Sequence, residues 1–269
     1  MDADDQTGSP APPTDPEAAR VASLYRYPVK GLTPERLETV ALTPGEALPF
    51  DRAYAIEAGS GKFDPLAPDY LPKINFLMLM RDEKLAAIDT RFDETDRTLT
   101  ISRDGRQVVR GALDTPIGRS MIEQFIAGYL GSDLRGAPKV VQAPGHTFAD
   151  VPAKCVHIVN LASVAALERV ADKPIDPLRF RANIYIAGLE PWAEFTWLDK
   201  SITLGNATLN VWSRTQRCAA TNVDPATGAR DMALPGLLQR TFGHEDFGIY
   251  ASVRSGATIA EGATVSVAT

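Results

Sequence analysis

Cysteine and histidine are scarce in this 269-residue chain, with Cys155 and Cys218 the two cysteines and His146, His157 and His244 the three histidines. Two cysteines exclude a disulfide-rich scaffold. Without a Cys-x-x-Cys pair they also exclude a zinc knuckle or a plant-type iron–sulfur cluster within the chain. The histidines never fall at His-x-x-x-His spacing, so a histidine-built zinc or iron site has little support. Long apolar runs are missing too. Phe76-Leu77-Met78-Leu79-Met80 falls far short of the ~20 residues of a membrane helix and reads as a buried strand. Positive charge is not in excess. A formal net charge of −6 disfavours general nucleic-acid binding while leaving room for a local basic pocket. Long internal repeats are absent. A membrane partner and a nucleic-acid partner are therefore not expected.

What is present is ordinary globular composition, 44% apolar and 23% charged. The length exceeds what one core comfortably organises, so one large or two smaller domains are expected. Residues 1–19, acidic at Met1-Asp2-Ala3-Asp4-Asp5 and proline-rich at Pro10-Ala11-Pro12-Pro13, read as a disordered tail. They show neither the basic nor the apolar region of a secretory signal, so a cytoplasmic location is the expectation.

Order begins at Val21 to Gly31, an alternating strand closed by Pro28 and Gly31, with Lys30 on the turn. Further strands are predicted at Leu37–Leu42, Phe50–Ile56, Ile74–Met80, Leu85–Phe92 and Arg97–Ser102, then Val108-Val109 after an Asp104-Gly105 turn. Such short, closely spaced strands suit a barrel or sandwich. On spacing alone, Lys30 is a solvated turn residue and Asp51-Arg52 a surface ion pair of little worth.

Two helices follow. Thr115 suits the N-cap, Pro116 the first turn and Gly131 the C-terminal stop, with Ile117, Met121, Phe125 and Tyr129 as the core stripe beside Ile122 and Ile126. Asn160 caps a second helix with Leu161, Val164, Leu167 and Val170 facing inward, stopped by Lys173-Pro174. Cys155 and His157 share a strand face and read as buried packing, since an apolar setting makes a thiol inert.

Asp176 to Ile186 reads as a short strand-like run with Arg179, Arg181 and Asn183 at period two. Polar groups buried unpaired are costly. They either line a wet, anion-friendly cavity or pair with carboxylates such as Asp176 or Glu194; the pattern leaves both open. Trp192 and Trp197, on either side of Glu194, are expected to pack over the barrel end. Ile202, Leu204, Leu209 and Val211 alternate around Gly205-Asn206, which predicts a hairpin leading to Arg217-Cys218. Asp224-Pro225 and Thr227-Gly228 are turn chemistry, so Cys218 falls where a strand gives way to a loop. A guanidinium beside a thiol favours the thiolate, both a nucleophile and a soft-metal ligand. Arginines also grip phosphate or carboxylate in bidentate fashion. The cysteine is thus a ligand to a metal-bearing anionic cofactor or a nucleophile, with mere packing, weakened by Arg217 beside it, as the bland alternative. The chain closes in β segments at Ile249–Val253 and Thr264–Val267.

Tyr27-Pro28-Val29-Lys30-Gly31 followed by Phe50-Asp51-Arg52 resembles the start of the MOSC N-terminal β-barrel domain. Leu178 to Ile184, Glu194 to Trp197, the Arg-Cys-x-x-Thr-x-Val-Asp-Pro-x-Thr-Gly run from Arg217 to Gly228, and Phe247 to Tyr250 resemble the MOSC domain itself. This resemblance, from about residue 20 to the end, implies an α+β, mainly β fold. An N-terminal β-barrel-like domain at 20–112 would precede a MOSC β-barrel domain at 113–269 with a few peripheral helices. It implies the molybdenum cofactor (molybdopterin), with Cys218 as metal ligand. Lys30, Arg52, Arg181, Asn183, Gln216, Arg217 and Tyr250 would hold the pterin and its phosphate, and Asp150 would relay a proton. The implied activity is reduction of N-hydroxylated or N-oxygenated small molecules. Lacking cysteines for an iron–sulfur domain, the chain would draw electrons from a separate ferredoxin- or cytochrome b5-like donor with its reductase. Sulfur transfer through a Cys218 persulfide, or non-catalytic cofactor carriage, remain open alternatives. Two positions depart from the family: Gly31 stands where Ser is frequent, and Ala182 where the reductases have Pro between Arg and Asn.

Overall fold

The computed structural model describes residues 18–59 and 61–267. The tail expected over residues 1–19 lies, up to residue 17, outside the described residues. Strands β1 (Arg20–Arg26), β2 (Glu35–Leu37), β3 (Thr39–Ala41), β4 (Ala55–Ala58), β5 (Asp89–Asp93), β6 (Thr98–Arg103) and β7 (Arg106–Ala112) lead into helix α1 (Pro116–Leu130). After β8 (Pro138–Val141) and β9 (Val156–Asn160) comes α2 (Leu161–Ala171), then β10 (Ile184–Ala187), β11 (Ser201–Leu204) and β12 (Ala207–Gln216). Helix α3 (Leu234–Phe242) precedes β13 (Asp246–Ser255), β14 (Thr258–Ala260) and β15 (Val265–Val267). The fold is mainly β with three α-helices among the described residues, in line with the expected class.

The principal sheet has the order β15-β11-β12-β13-β9-β10-β1-β2. It draws strands from both ends of the chain. Val265 N donates to Ala19 O at 2.7 Å and Val21 N to Ala263 O at 2.8 Å, which closes the sheet on itself beside the first strand. Closure removes open edges. Its interior holds Leu24, Ile158, Ile184, Leu209 and Ile249, all fully buried. The parallel β9–β10 pair needs a crossover, and α2 supplies it. A second core gathers Leu77, Leu85, Ile88 and Ile101 with Ile122 and Ile126 of α1. Val223, from the loop after Cys218, packs in that second core and ties the loop to the first half of the chain.

Several elements differ from the sequence reading. The strand predicted at Phe50–Ile56 is a turn up to Arg52, left-handed at φ 50°, and β4 begins at Ala55. Ile74–Met80 is not a strand: a 3-10 turn at Lys73–Asn75 precedes an irregular buried stretch. A short apolar run reports burial without reporting conformation. Here the backbone finds other partners, Leu77 N bonding Ile56 O at 2.8 Å and Met78 N bonding Asp82 Oδ2 at 2.9 Å. Leu85–Phe92 divides into a 3-10 turn, Glu83–Ala87, and β5. In the run from Asp176, residues 177–180 form a 3-10 turn because Asp176 caps Leu178 N at 2.8 Å and Pro177 suits the first turn.

Helix α1 starts at its expected cap, Thr115 accepting from Gly118 N. Its buried row, however, is Gly118, Ile122, Ile126 and Leu130, while Ile117 is 77% exposed. Gly118 is the reason. A Cβ there would stand 2.1 Å from Ala112 O, so only glycine lets the helix rest on that carbonyl. Ile117 and Met121 are thereby turned outward, while Phe125 and Tyr129 of the same row still pack, partly buried, against the second core. Val170 of α2 is likewise exposed, whereas Val164 and Leu167 are buried as expected.

Candidate functional site

Cys218 lies where β12 gives way to the 3-10 turn Ala219–Asn222, as the sequence predicts. The residues of the following run build the loop that carries it. The Cys218 carbonyl accepts from Thr221 N at 3.1 Å and Thr221 Oγ1 at 3.0 Å. Asp224 Oδ1 accepts from Ala226 N, Thr227 N and Thr227 Oγ1, an Asx turn. Arg179, 4% exposed, locks the loop from beneath. Its Nη2 pairs with Asp224 at 3.1 Å and Asp231 at 2.8 Å, and Nη1 donates to Asn222 O. Of the two alternatives for the arginine run, Arg179 takes the paired one, although with Asp224 and Asp231 in place of Asp176 or Glu194. Glu194 is buried and bonded to Asn160 and Ser163.

Cys218 faces an open cleft of about 850 Å³, mouth included, to which both halves of the chain contribute. Six cationic side chains line it (Lys30, Arg52, Lys73, Arg179, Arg181 and Arg217) against the carboxylates of Asp51 and Asp150. Lys30 and Asp51 are buried, so the solvated-turn and surface-pair readings fail. Lys30 Nζ donates to Phe148 O at 2.8 Å and pairs with Asp150. Arg52 pairs with Asp51 and donates to Arg181 O at 2.9 Å. The Arg52 and Arg181 guanidinium carbons lie 4.4 Å and 4.2 Å from the centre of the Tyr27 ring. The ring's π-system attracts each cation, and this offsets part of their mutual repulsion. Asp51 also anchors the ring's backbone, accepting from Tyr27 N at 2.8 Å.

Among the described residues, the Arg181 side chain has no ion pair or hydrogen bond. Burial, opposed by Tyr27 and reinforced by Arg52, brings its guanidinium down to about 10. Arg217 donates Nη2 to Phe180 O at 2.7 Å and its Nε is buried without a partner. Burial and the adjacent Arg217 push His157 well below the usual imidazole range, so the ring is neutral. Burial raises the Tyr250 hydroxyl and the Cys155 thiol, each to about 12. Cys155 is thus buried as expected, yet it and His157 also line the cleft. Asn183 lines it too, with its amide bridging His157 N and Tyr25 O. Gln216 does not: it is exposed and donates to Glu245 at 3.3 Å. Lys73 and Asp51 belong to the lining and were not candidates. Gly31 sits at φ 84° with Leu77 O 3.0 Å from any added Cβ, so a serine there would be strained.

The Asp150 side chain is 47% exposed at the cleft; partial desolvation pushes its carboxyl up, but Lys30 beside it pulls it down to about 2. Lys30 is itself lowered by burial against the opposing pull of Asp150. A carboxyl depressed on folding contributes stability above its ordinary value near 4, and that contribution is lost as pH falls toward 2. The melting-temperature gap between wild type and Asp150→Asn is therefore expected to be positive at pH 7 and to close by pH 2. A gap independent of pH, read by circular dichroism, contradicts the pairing.

Compared with protein-family models, residues 18–126 match the MOSC N-terminal beta barrel domain and residues 145–266 the MOSC domain. The chain belongs to the MOSC-domain family. It is 36% identical over 97 residues to a molybdenum cofactor sulfurase of Caenorhabditis briggsae, covering 35% of this chain and 13% of that one. It is 33% identical over 78 residues to the human mitochondrial amidoxime-reducing component 1, covering 29% of this chain and 23% of that one. The matched stretches thus span less than a quarter of these relatives. Among solved structures, the YUAD protein from Bacillus subtilis aligns over 93% of this chain and 95% of its own at 11% identity and a TM-score of 0.43. Among the described residues, no helix is long and apolar enough to cross a membrane.

Proposed function

We propose that the cleft binds the molybdenum cofactor and that the protein is an oxidoreductase acting on N-hydroxylated or N-oxygenated small molecules. The observation that carries this is an accessible thiol facing a cationic cleft in which, among the described residues, the half-buried Arg181 side chain has no ion pair or hydrogen bond. A cation partly withdrawn from water without a carboxylate partner suits an anionic guest. Among the described residues no group of three His, Cys, Asp or Glu could hold a metal ion. A metal here would need to bring most of its own ligands, as a pterin dithiolene does. The residues therefore fit the group. Cys218 would hold its metal, and Arg52, Arg181 and Arg217 its phosphate, with Lys30 and Tyr250 at the walls.

When bound, the cofactor supplies two-electron removal of oxygen: R–NHOH plus two electrons and two protons gives R–NH2 and water. The chain's own part is to hold the proton. Asp150 at about 2 carries none at neutral pH, so the proton of that pair sits on Lys30 Nζ and Asp150 is its acceptor. Electrons come from a separate donor protein, of the ferredoxin or cytochrome b5 type.

A second reading is sulfur transfer through a Cys218 persulfide. It is favoured by the contrast between the accessible Cys218 and the inert Cys155, and by the relatives named molybdenum cofactor sulfurase. Protein made in a host that synthesises the cofactor, given reduced methyl viologen and N-methylhydroxylamine, distinguishes them. The expected result is bound molybdenum and pterin with amine formed per two electrons consumed. A persulfide on Cys218 without pterin selects sulfur transfer, and bound pterin without turnover selects a carrier.

A further inference from the structure

Trp212 is the outward anomaly of β12. Leu209 and Val211 point into the barrel, the β12–β13 register shifts between Val211 and Ser213, and Trp212 is left 38% exposed. Here the indole lies stacked on Tyr250, ring centres 5.4 Å apart and planes 17° from parallel. Tyr250 in turn contacts His157 at 5.4 Å and lines the cleft. Indole, phenol and imidazole form one aromatic row from the surface into the cleft.

Beyond the indole is an open groove of about 720 Å³. Ala153 borders it, on the same loop that brings Asp150 and Cys155 to the cleft. Besides Val211 its other borders are polar: Ser252, the exposed Asp199, and Asn210, whose amide oxygen, oriented to satisfy both neighbours, accepts from Arg254 Nε at 2.9 Å. One indole is far smaller than the roughly 800 Å² per partner of a stable protein interface. Its rigid apolar face with polar groups around it is the makeup of a small-molecule subsite.

We infer that Trp212, stacked on Tyr250, forms an aromatic shelf beside the cleft, outside its lining, that selects substrates with a flat aromatic body reaching past Tyr250. The reacting nitrogen would point toward Cys218 and polar ring substituents toward Asp199, Asn210 and Arg254. This deepens the reductase reading and rests on it for the orientation of the nitrogen.

The test compares N-phenylhydroxylamine with N-methylhydroxylamine by calorimetry on the purified holoprotein, without an electron donor. Wild type is expected to bind the phenyl compound more tightly, and its tryptophan fluorescence to be quenched on binding. Trp212→Ala is expected to lower the preference for phenyl over methyl about tenfold, and Trp212→Phe to restore most of it. An unchanged preference in Trp212→Ala, or no phenyl preference in wild type, overturns the shelf. Turnover plays no part in this measurement. Failure to reduce either probe with reduced methyl viologen would sink the reductase reading alone.

Discussion

Cys218→Ala, purified from a host that synthesises the cofactor, is expected to fold normally and to carry only background molybdenum. Folding should survive because the contacts Cys218 makes in the structure belong to its backbone. Its carbonyl takes both Thr221 bonds, and the Asp224 turn and the Arg179 pairs shape the loop independently. Alanine disturbs none of these, so the melting temperature should stay close to that of wild type. The metal has no substitute ligand: Cys155 is buried with its thiol raised to about 12, and His157 serves Arg217 from within the wall. Pterin retention is a separate readout, since the cations that would hold it are untouched. Stoichiometric molybdenum in the variant would refute the ligand assignment. Loss of pterin together with metal would show that the thiolate anchors the whole group.

What could be read from the sequence follows from the range of each interaction. The Gly205-Asn206 hairpin, the Thr115 and Asn160 caps and the strand-to-loop position of Cys218 are decided within a few residues, and each stands where it was expected. The cleft is decided otherwise. Lys30 finds Phe148 and Asp150 more than a hundred residues away, and Arg52 finds the Arg181 carbonyl. No spacing rule reaches that far, so local reasoning placed Lys30 and Arg52 in solvent. Only the resemblance, which compares the whole pattern, put them beside Cys218. That route also carried over Gln216, which the structure turns outward next to the buried Thr215. Trp212 was missed despite a usable signal. The alternation that buries Leu209 and Val211 makes position 212 an outward one.

Arg181→Met is expected to make the cofactor-free protein more stable while impairing its ability to hold the cofactor. Arg181 adopts a left-handed backbone at φ 51°, a cost that methionine shares, so the change isolates the charge. That charge sits beside Arg52, without a carboxylate partner, where burial already disfavours the protonated guanidinium. The Tyr27 ring compensates in part, and methionine keeps a favourable sulfur contact with it. Relief of the unpaired cation should add about 1 kcal/mol. For a chain of this size that raises the melting temperature by about 2–4 °C. Arg52 is the control, because it pairs with Asp51 and its loss leaves that buried carboxylate exposed to the same penalty. Arg52→Met should therefore destabilise the empty protein. Both variants should copurify with less pterin than wild type. An empty Arg181→Met protein that melts below wild type would mean that Tyr27 stabilises the guanidinium by more than burial costs it. The unpaired arginine would then be no mark of a missing anion.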